Sequence, residues 1–363
     1  MPTTRVIYQQ ENVFVGPANS TGFFYSSGNA GTNLIKQLYR VQSANRSFNI
    51  SNTDINELGV LARLGTLVTE PPSVSFDTSW YVTNVNNESG VGLSVNGPYS
   101  SLSGILTKVN DDRNIFVSRS PQGQDDDGFV GAGRICYGLG NCFLTQYGVE
   151  ASVGGLATAS ATFEAFNFYG YNSASGVSPA INPVNGTMVS GPTFSLPVGI
   201  TGLANQALAI RYGEIVLDLS NLSLIGASVS DLKLQSFNLS LPIARESINV
   251  LGSLYPSSKD VTVPINGTLS FSAVIGDTQT GNLNSVLCSQ DKYNVTISLY
   301  KPACPGVTGA LAARYTVLGA ILNSESFGMT VGPNENLDVE LSFQAGGASD
   351  VQNGLLISGA LDY

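Results

Sequence analysis

No histidine occurs in this chain of 363 residues. That absence excludes Ser-His-Asp and Cys-His nucleophile pairs, imidazole general bases and every histidine-containing metal site. Charge is also scarce: Asp, Glu, Lys and Arg together make up 12% of the residues, against the ~25% usual in globular chains. With 16 basic and 26 acidic side chains the net charge is -10, which excludes a basic nucleic-acid binder. Walker A and GxSxG patterns are absent, and the glycine doublets near 131–140 do not complete a dinucleotide fingerprint.

Long apolar runs are missing too. The stretch LPVGITGLANQALAI at 196–210 is broken by Gly and Asn and is too short to cross a bilayer as a helix. The amino terminus, MPTTRVIYQQENVFVGP, has neither a basic region followed by an apolar run nor a small-residue cleavage pattern. A soluble protein without membrane contact is therefore expected. Sequons at Asn45, Asn49, Asn238 and Asn294 then follow from an Asn-, Ser- and Thr-rich composition.

Cysteines are few: Cys136, Cys142, Cys288 and Cys304. Their spacings fit neither a CxxC redox pair nor a paired CxxC zinc site, so no metal or cofactor is expected. Cys136 and Cys142 flank the turn-like YGLGN, which suits a disulfide, and Cys288 with Cys304 suits another across a hairpin. The alternative is four free thiols in a reducing cytosol.

What is abundant is small and apolar: 40 glycines and an apolar share of 42%, enough chain for roughly two domains with real cores. Period-two alternation marks strands. In VSFDTSWYV, Val74, Phe76, Trp80 and Val82 share a face, while Ser73, Ser75, Asp77 and Ser79 lie on the other. Val295, Ile297 and Leu299 share one in NVTISL, as do Leu337, Val339, Leu341 and Phe343 in LDVELSF. Further strands are expected at 114–118, 161–168, 214–220 and 233–241, separated by Gly, Pro and Asn clusters. One short helix is expected in TDINELGVLARL, capped by Thr53 or Asp54, with Ile55, Leu58, Leu61 and Ala62 along a stripe.

An internal repeat organises the chain. SFNIS at 47–51 recurs as SFNLS at 236–240, LGTL at 64–67 as LGSL at 251–254, and DDRNIFVS at 111–118 as DKYNVTIS at 291–298. Arg134 matches Arg314, and the steps Val153-Gly154 and Val331-Gly332 precede strands carrying Glu164 and Glu340. The matches are collinear. The first copy carries about ten extra residues, placed in the Gly-rich loop between Thr83 and Asn110. Two related β domains are therefore expected at 1–172 and 195–363, joined by a Pro-, Gly- and Ser-rich linker at 173–194.

The block LYRVQSANRSFNISNTDINELGVLARLGTLVTEPPSVSFDTSWYVTN, residues 38–84, resembles the tail tube proteins of tailed bacteriophages. The matching residues are Arg40, Val41, Gln42, Phe48, Ile50, Asp54, Asn56, Glu70, Pro71, Pro72, Phe76, Trp80 and Tyr81, and residues 147–168 look like the family's closing strands. The second copy lacks the Glu-Pro-Pro bend. The resemblance implies a β-sandwich subunit whose strands join those of its neighbours into a ring-shaped β-barrel. Rings stack into a conduit for double-stranded DNA in the virion tail, assembled in the host cytoplasm beside tape-measure, terminator and sheath proteins. Because the family's rings are usually sixfold, a duplicated chain implies homotrimeric rings with pseudo-sixfold symmetry, or homohexameric rings with the second domain outside. A weakly charged acidic lumen suits such passage, since phosphate capture would hold the DNA in place.

The run Asp125, Asp126, Asp127 before Gly128 offers oxygen ligands for a hard cation, but no bidentate Glu follows at the spacing of such loops. A solvated hairpin tip facing the lumen or the next ring is expected instead. Other classes remain distinct: a tandem β-sandwich decoration or adhesion module of the virion, and a carbohydrate-active tail component, for which no pair of carboxylates stands beside a stacking aromatic. No enzyme activity is expected.

Overall fold

The computed structural model describes residues 11–18, 35–109, 111–129, 133–189, 193–199, 209–219, 222, 224, 229, 232–275, 291–303, 309–329 and 335–361. The first half runs β1 (Glu11–Pro17), β2 (Lys36–Gln37), β3 (Val41–Asn49), β4 (Asn52–Ile55), β5 (Gly65–Val68), β6 (Ser73–Tyr81), α1 (Asn86–Gly90), α2 (Ser103–Leu106), β7 (Asp112–Arg119), β8 (Ile135–Ser152), β9 (Thr158–Ala165) and β10 (Asn167–Tyr171). Four short strands follow: β11 (Ser175–Val177), β12 (Ile181–Asn182), β13 (Thr187–Met188) and β14 (Thr193–Ser195). The second half runs β15 (Ile215–Asp218), β16 (Lys233–Pro242), β17 (Arg245–Ile248), β18 (Ser258–Val261), β19 (Ile265–Val274), β20 (Tyr293–Tyr300), β21 (Leu311–Met329), β22 (Glu335–Ala345) and β23 (Gly354–Gly359). The protein is all-β, as the alternation predicts.

Two long strands set the architecture. The first part of β8 pairs with β7 and β10; from Phe143 on, across a bulge at Leu144/Gln146, it pairs with β9, and from Gln146 on also with β16. Strand β21 does the same, pairing first with β20 and β23 and, from Ile321 on across a bulge at Leu322/Ser324, with β22. A bulge bends and twists its strand, so each long strand passes from one layer of its half to the other. The layers β1-β7-β8-β10 and β3-β6-β9-β8 form a sandwich-like half; β15-β20-β21-β23 and β16-β19-β22-β21 repeat the same pairing order.

A shared local device accompanies that order. Asn141, at φ 52°, donates its amide to Asn114 Oδ1 at 3.1 Å, and Gly319, at φ 68°, donates its amide to Asn294 Oδ1 at 3.0 Å. Each left-handed residue sits where its long strand breaks register with β7 or β20, so a β7 or β20 side chain satisfies an amide that the ladder leaves over.

The register aligns the two halves differently from the sequence motifs. The bulge Val41/Ser43 on β3 matches Leu234/Ser236 on β16, which sets Val41-Gln42-Ser43-Ala44-Asn45 beside Leu234-Gln235-Ser236-Phe237-Asn238. Both bulged glutamines donate Nε2 to the carbonyl two residues back, Gln42 to Arg40 at 3.0 Å and Gln235 to Lys233 at 3.1 Å. SFNLS therefore corresponds to SANRS rather than to SFNIS. LGSL corresponds to Leu58-Gly59-Val60-Leu61, with Gly59 and Gly252 both left-handed at φ 90° and 94°. Arg314 holds the position opposite Ser298 that Cys136, not Arg134, holds opposite Ser118. Glu340 and Glu164 also differ in register, since Glu340 faces Ser270 and Glu164 faces Ser75. Val331 and Gly332 lie outside the described residues.

The expected helix at 53–64 is instead the hairpin β4–β5. A helix this short depends on packing its apolar stripe, and Leu58 and Leu61 are fully exposed, with nothing to pack against. Gly59 in the left-handed region turns the chain where a helix would have to continue. Residues 82–109 do not form a surface loop either. They carry α1 and α2, bury Val85, Leu93, Leu102 and Ile105, and reach the second half, where the Ser101 amide bonds the Leu355 carbonyl at 2.7 Å. Residues 175–189 and 193–195 carry the small pairs β11–β14 and β12–β13, with Pro179 against Gly138 and Gly140 of β8.

One large core runs through both halves, including Trp80, Phe76, Phe163 and Tyr147 from the first and Tyr315, Ile297, Phe271 and Leu341 from the second. Each fully buried side chain of this size contributes about 1.5–3 kcal/mol relative to exposure. A smaller cluster of Phe14, Phe116, Cys136 and Phe194 lies on the other side of β7 and β8.

Candidate functional site

Antiparallel pairing of β8 with β16, from Gln146–Pro242 to Ser152–Ser236, merges the β3-β6-β9-β8 layer of the first half with the β16-β19-β22-β21 layer of the second. The result is one surface of eight strands in the order β3-β6-β9-β8-β16-β19-β22-β21. Period two forces its composition, because every second residue enters the core and the other set faces outward. Facing outward are Ser75, Asp77 and Ser79 on β6, Ser160, Thr162 and Glu164 on β9, Glu150 and Ser152 on β8, Asn238 on β16, Ser270 and Ser272 on β19, and Asp338 and Glu340 on β22. Over the middle strands the face encloses an open hollow of about 870 Å3, lined by Glu150, Asn238, Ser270, Ser324, Asp338 and Glu340 among others.

The charge on this face has one sign. Among the eight strands the basic residues are Arg46, Lys233 and Arg314. Arg46 pairs opposite core-facing Phe76 and lays its guanidinium 4.4 Å from the Tyr137 ring centroid, on the far side of the sheet. Arg314 donates Nε to Ser298 at 3.2 Å in the other layer, and Lys233 stands at the outer end of β16. From outside the eight strands, Lys259 of β18 pairs with Glu164. The interior of the face is thus hydroxyl, amide and carboxylate.

Both ends of this surface are open. Strand β3 pairs only with β6, and beyond its bulge β21 pairs only with β22, among the described residues. Among the described residues the single chain closes no barrel.

The other residues singled out by the sequence fall elsewhere. Asp126 is not a solvated tip: it is buried, its carboxylate accepts from Arg134 Nε at 3.0 Å and Nη2 at 2.9 Å, and it also takes bonds from Ser118 Oγ and Asn12 Nδ2. Asp127 accepts from Asn12 at 2.8 Å and Gln37 at 2.9 Å, while Asp125 is exposed. Together they clasp the loop to β1, β2, β7 and the segment around Pro197, whose carbonyl accepts from Arg134 Nη1 at 2.8 Å. Asn12 of β1, remote in sequence, and the buried Arg134 charge eight residues on outweigh solvation of the run. Cys136 and Cys142 form no disulfide; both are free and buried. They lie on the one extended strand β8, six residues apart and so roughly 20 Å along it, and they enter different clusters. Burial pushes the Cys136 thiol up to about 12 and the Cys142 thiol well above the ordinary range. Cys288 and Cys304 lie outside the described residues. Ser75 and Asp77 are on the polar face, whereas Thr296 and Ser298 belong to the other layer, bonded to Thr316 and Arg314.

Sequence reasoning missed Glu88. It sits on α1, fully buried, where the Tyr147 and Tyr315 hydroxyls bond its Oε1 at 3.1 and 3.2 Å and the Trp80 indole adjoins it. Burial raises its carboxyl to about 7, and Oε2 has no partner. Nothing in the spacing of NNESG signals this, because the two tyrosines come from strands in opposite halves. No helix among the described residues is long and apolar enough to cross a membrane.

Compared with known families and with curated proteins, the chain matches none.

Proposed function

We propose that this chain is a structural tube subunit of a phage tail, as its resemblance to tail tube proteins implies: copies join side by side into rings that stack around a lumen for double-stranded DNA. The observation that carries this reading is the eight-strand face itself, continuous across both halves, polar and acidic along its interior, and open at both ends. Three chains of eight strands close a barrel of 24, roughly 40 Å across between backbones at the usual strand spacing, wide enough for a DNA duplex. Closure consumes the two open edges, which otherwise invite uncontrolled pairing. A face rich in Ser, Thr, Asn and carboxylates releases no counterions from DNA and so does not hold it. The matching pairing orders of the two halves support a duplicated tube domain and a threefold ring with pseudo-sixfold symmetry. The partners of such a tube are the tape-measure, terminator and sheath proteins of the tail, and its place is the virion.

Negative-stain electron microscopy of the purified protein, with rotational averaging of end-on views, tests the reading. Hollow stacked rings of three chains are expected. Rings of six keep the tube and move the second half outside it. Isolated particles without a central hole at high concentration overturn the tube and favour a decoration or adhesion module.

A further inference from the structure

The seam between the two halves of one chain is a template for the seam between two chains. We infer that β21 of one copy pairs antiparallel with β3 of the next in the register of β8 with β16, which sets Ser326 opposite Ser47 and Phe327 opposite Arg46. This inference rests on the tube reading and specifies its lateral contact.

The correspondence follows from the bulges. Leu144/Gln146 on β8 and Leu322/Ser324 on β21 occur at the same place in the pairing with β9 and β22. Val41/Ser43 on β3 and Leu234/Ser236 on β16 do so against β6 and β19. Thus the two edges left open in one chain are the equivalents of the two strands that meet inside it. Gly148 faces Ser240 in the internal seam, and their equivalents are Ser326 and Ser47.

Burial carries the argument further. On the core side of the internal seam Val149 is 1% exposed and Leu241 0%. Their equivalents at the open edges are Phe327, 43% exposed, and Phe48, 62% exposed. Two phenylalanines on open strand edges, at positions that the internal seam buries, mark a surface awaiting a matching strand. Charge agrees with this pairing. Arg46 takes the place of Leu239, and Glu325 that of Tyr147, so the transferred register makes them diagonal neighbours of opposite sign on one face, within reach of long side chains.

The hairpins tell the same story. Within the chain, β17–β18 crosses the seam onto the first half: Arg245 Nη2 bonds Asp111 at 2.6 Å, its guanidinium lies 5.2 Å from the Phe143 ring centroid, and Tyr255 stands 6.0 Å from Phe166. The equivalent hairpin β4–β5 pairs with no other strand among the described residues and is exposed along most of its length. The equivalent of buried Phe143 is Ile321, half exposed. In the intermolecular seam β4–β5 lies over Ile321 of the next copy. Such a contact is heterologous, joining different surfaces, and therefore propagates until a ring closes.

Paired cysteines in the full-length chain test the register. The double variant Ser47→Cys/Ser326→Cys, treated with a mild oxidant, is expected to give a reducible ladder on denaturing gels that ends at three chains. Each single variant, which retains the native cysteines, and the displaced pair Ser43→Cys/Ser324→Cys are expected to stay monomeric on the same gels. Arg46→Glu is expected to abolish assembly, and Arg46→Glu/Glu325→Arg to restore it, which separates a seam defect from misfolding. If rings form but only the displaced pair cross-links, the register is overturned and the tube stands. If no variant cross-links and the unmodified protein shows no rings, both readings fall.

Discussion

Tyr147 of β8 and Tyr315 of β21 stand with their hydroxyls 3.4 Å apart, and both reach Oε1 of the buried Glu88. One carboxyl thus ties the long strand of each half to the segment between β6 and β7. Its raised value sets the sign of a pH effect. In the unfolded chain this glutamate titrates near its ordinary 4.5, in the fold near 7. The group's full stability contribution is therefore present below pH 4.5, falls as the pH rises toward 7, and is lost above it. The span amounts to up to about 3 kcal/mol. Thermal melts from pH 4.5 to 8 should show this decline, and Glu88→Gln, which keeps the shape without the proton, should flatten that part of the profile. An unchanged slope in the variant would assign it to other groups, of which half-buried Asp112, raised to about 8 by desolvation, is the first to examine.

The paired left-handed residues give a test of the repeated architecture. Asn141→Gly keeps the conformation at φ 52° and should cost little through the backbone, while Asn141→Ala keeps a Cβ there without the short amide side chain that lets Asn tolerate the left-handed region. Gly319→Ala should be worse, since its Cβ would meet Asn353 Oδ1 at 2.5 Å. Removing the acceptor by Asn114→Ala leaves the buried Asn141 amide without its partner and should cost about 1–3 kcal/mol, while Asn294→Ala, at the exposed Gly319 amide, should cost less. Chemical denaturation of these variants measures the differences; equal stability of all of them would show that the device has no energetic role.

How much of this was legible depended on range. The alternation of Val74, Phe76, Trp80 and of Leu337, Val339, Leu341 announced their strands and their buried faces, because period two is a local property. Leu58 and Leu61 misled because an apolar spacing looks the same whether it faces a core or a partner, and in the monomer they face nothing. SFN occurs on both sides of a plausible alignment, and only the bulges at Gln42 and Gln235 fix which one pairs. Asp126 read as solvated because Arg134 and Asn12, which bury it, are brought in by folding. The β8–β16 seam left no local signature at all.

The Asp126–Arg134 pair should behave as a buried ion pair. Both side chains are nearly inaccessible, so Arg134→Met leaves the carboxylate without its main counter-charge and should cost about 3–5 kcal/mol. Pairing it with Asp126→Leu should recover part of that loss, because no charge then remains buried. A double-mutant cycle by denaturant unfolding reads the coupling. Losses that simply add would mean that the two groups act independently despite their 2.9 Å contact.

The absence of cations from the interior of the eight-strand face makes the sharpest functional prediction. If that face lines a conduit, its lack of affinity for phosphate is a property that substitution can remove without touching the core, because Glu150, Asp338 and Glu340 project away from it. Glu150→Lys/Asp338→Lys/Glu340→Lys changes the charge by six units per chain, and three chains place all nine new cations around one ring. Assembly should survive, since none of the three lies on β3 or β21. Duplex DNA should then bind open tubes at low salt, with an affinity that falls steeply as salt rises, in proportion to the number of phosphates neutralised. The unmodified tube should bind none under the same conditions. Capture by the variant that persists when the tube ends are capped would place the acidic face on the outside of the assembly; capture that capping blocks would place it within.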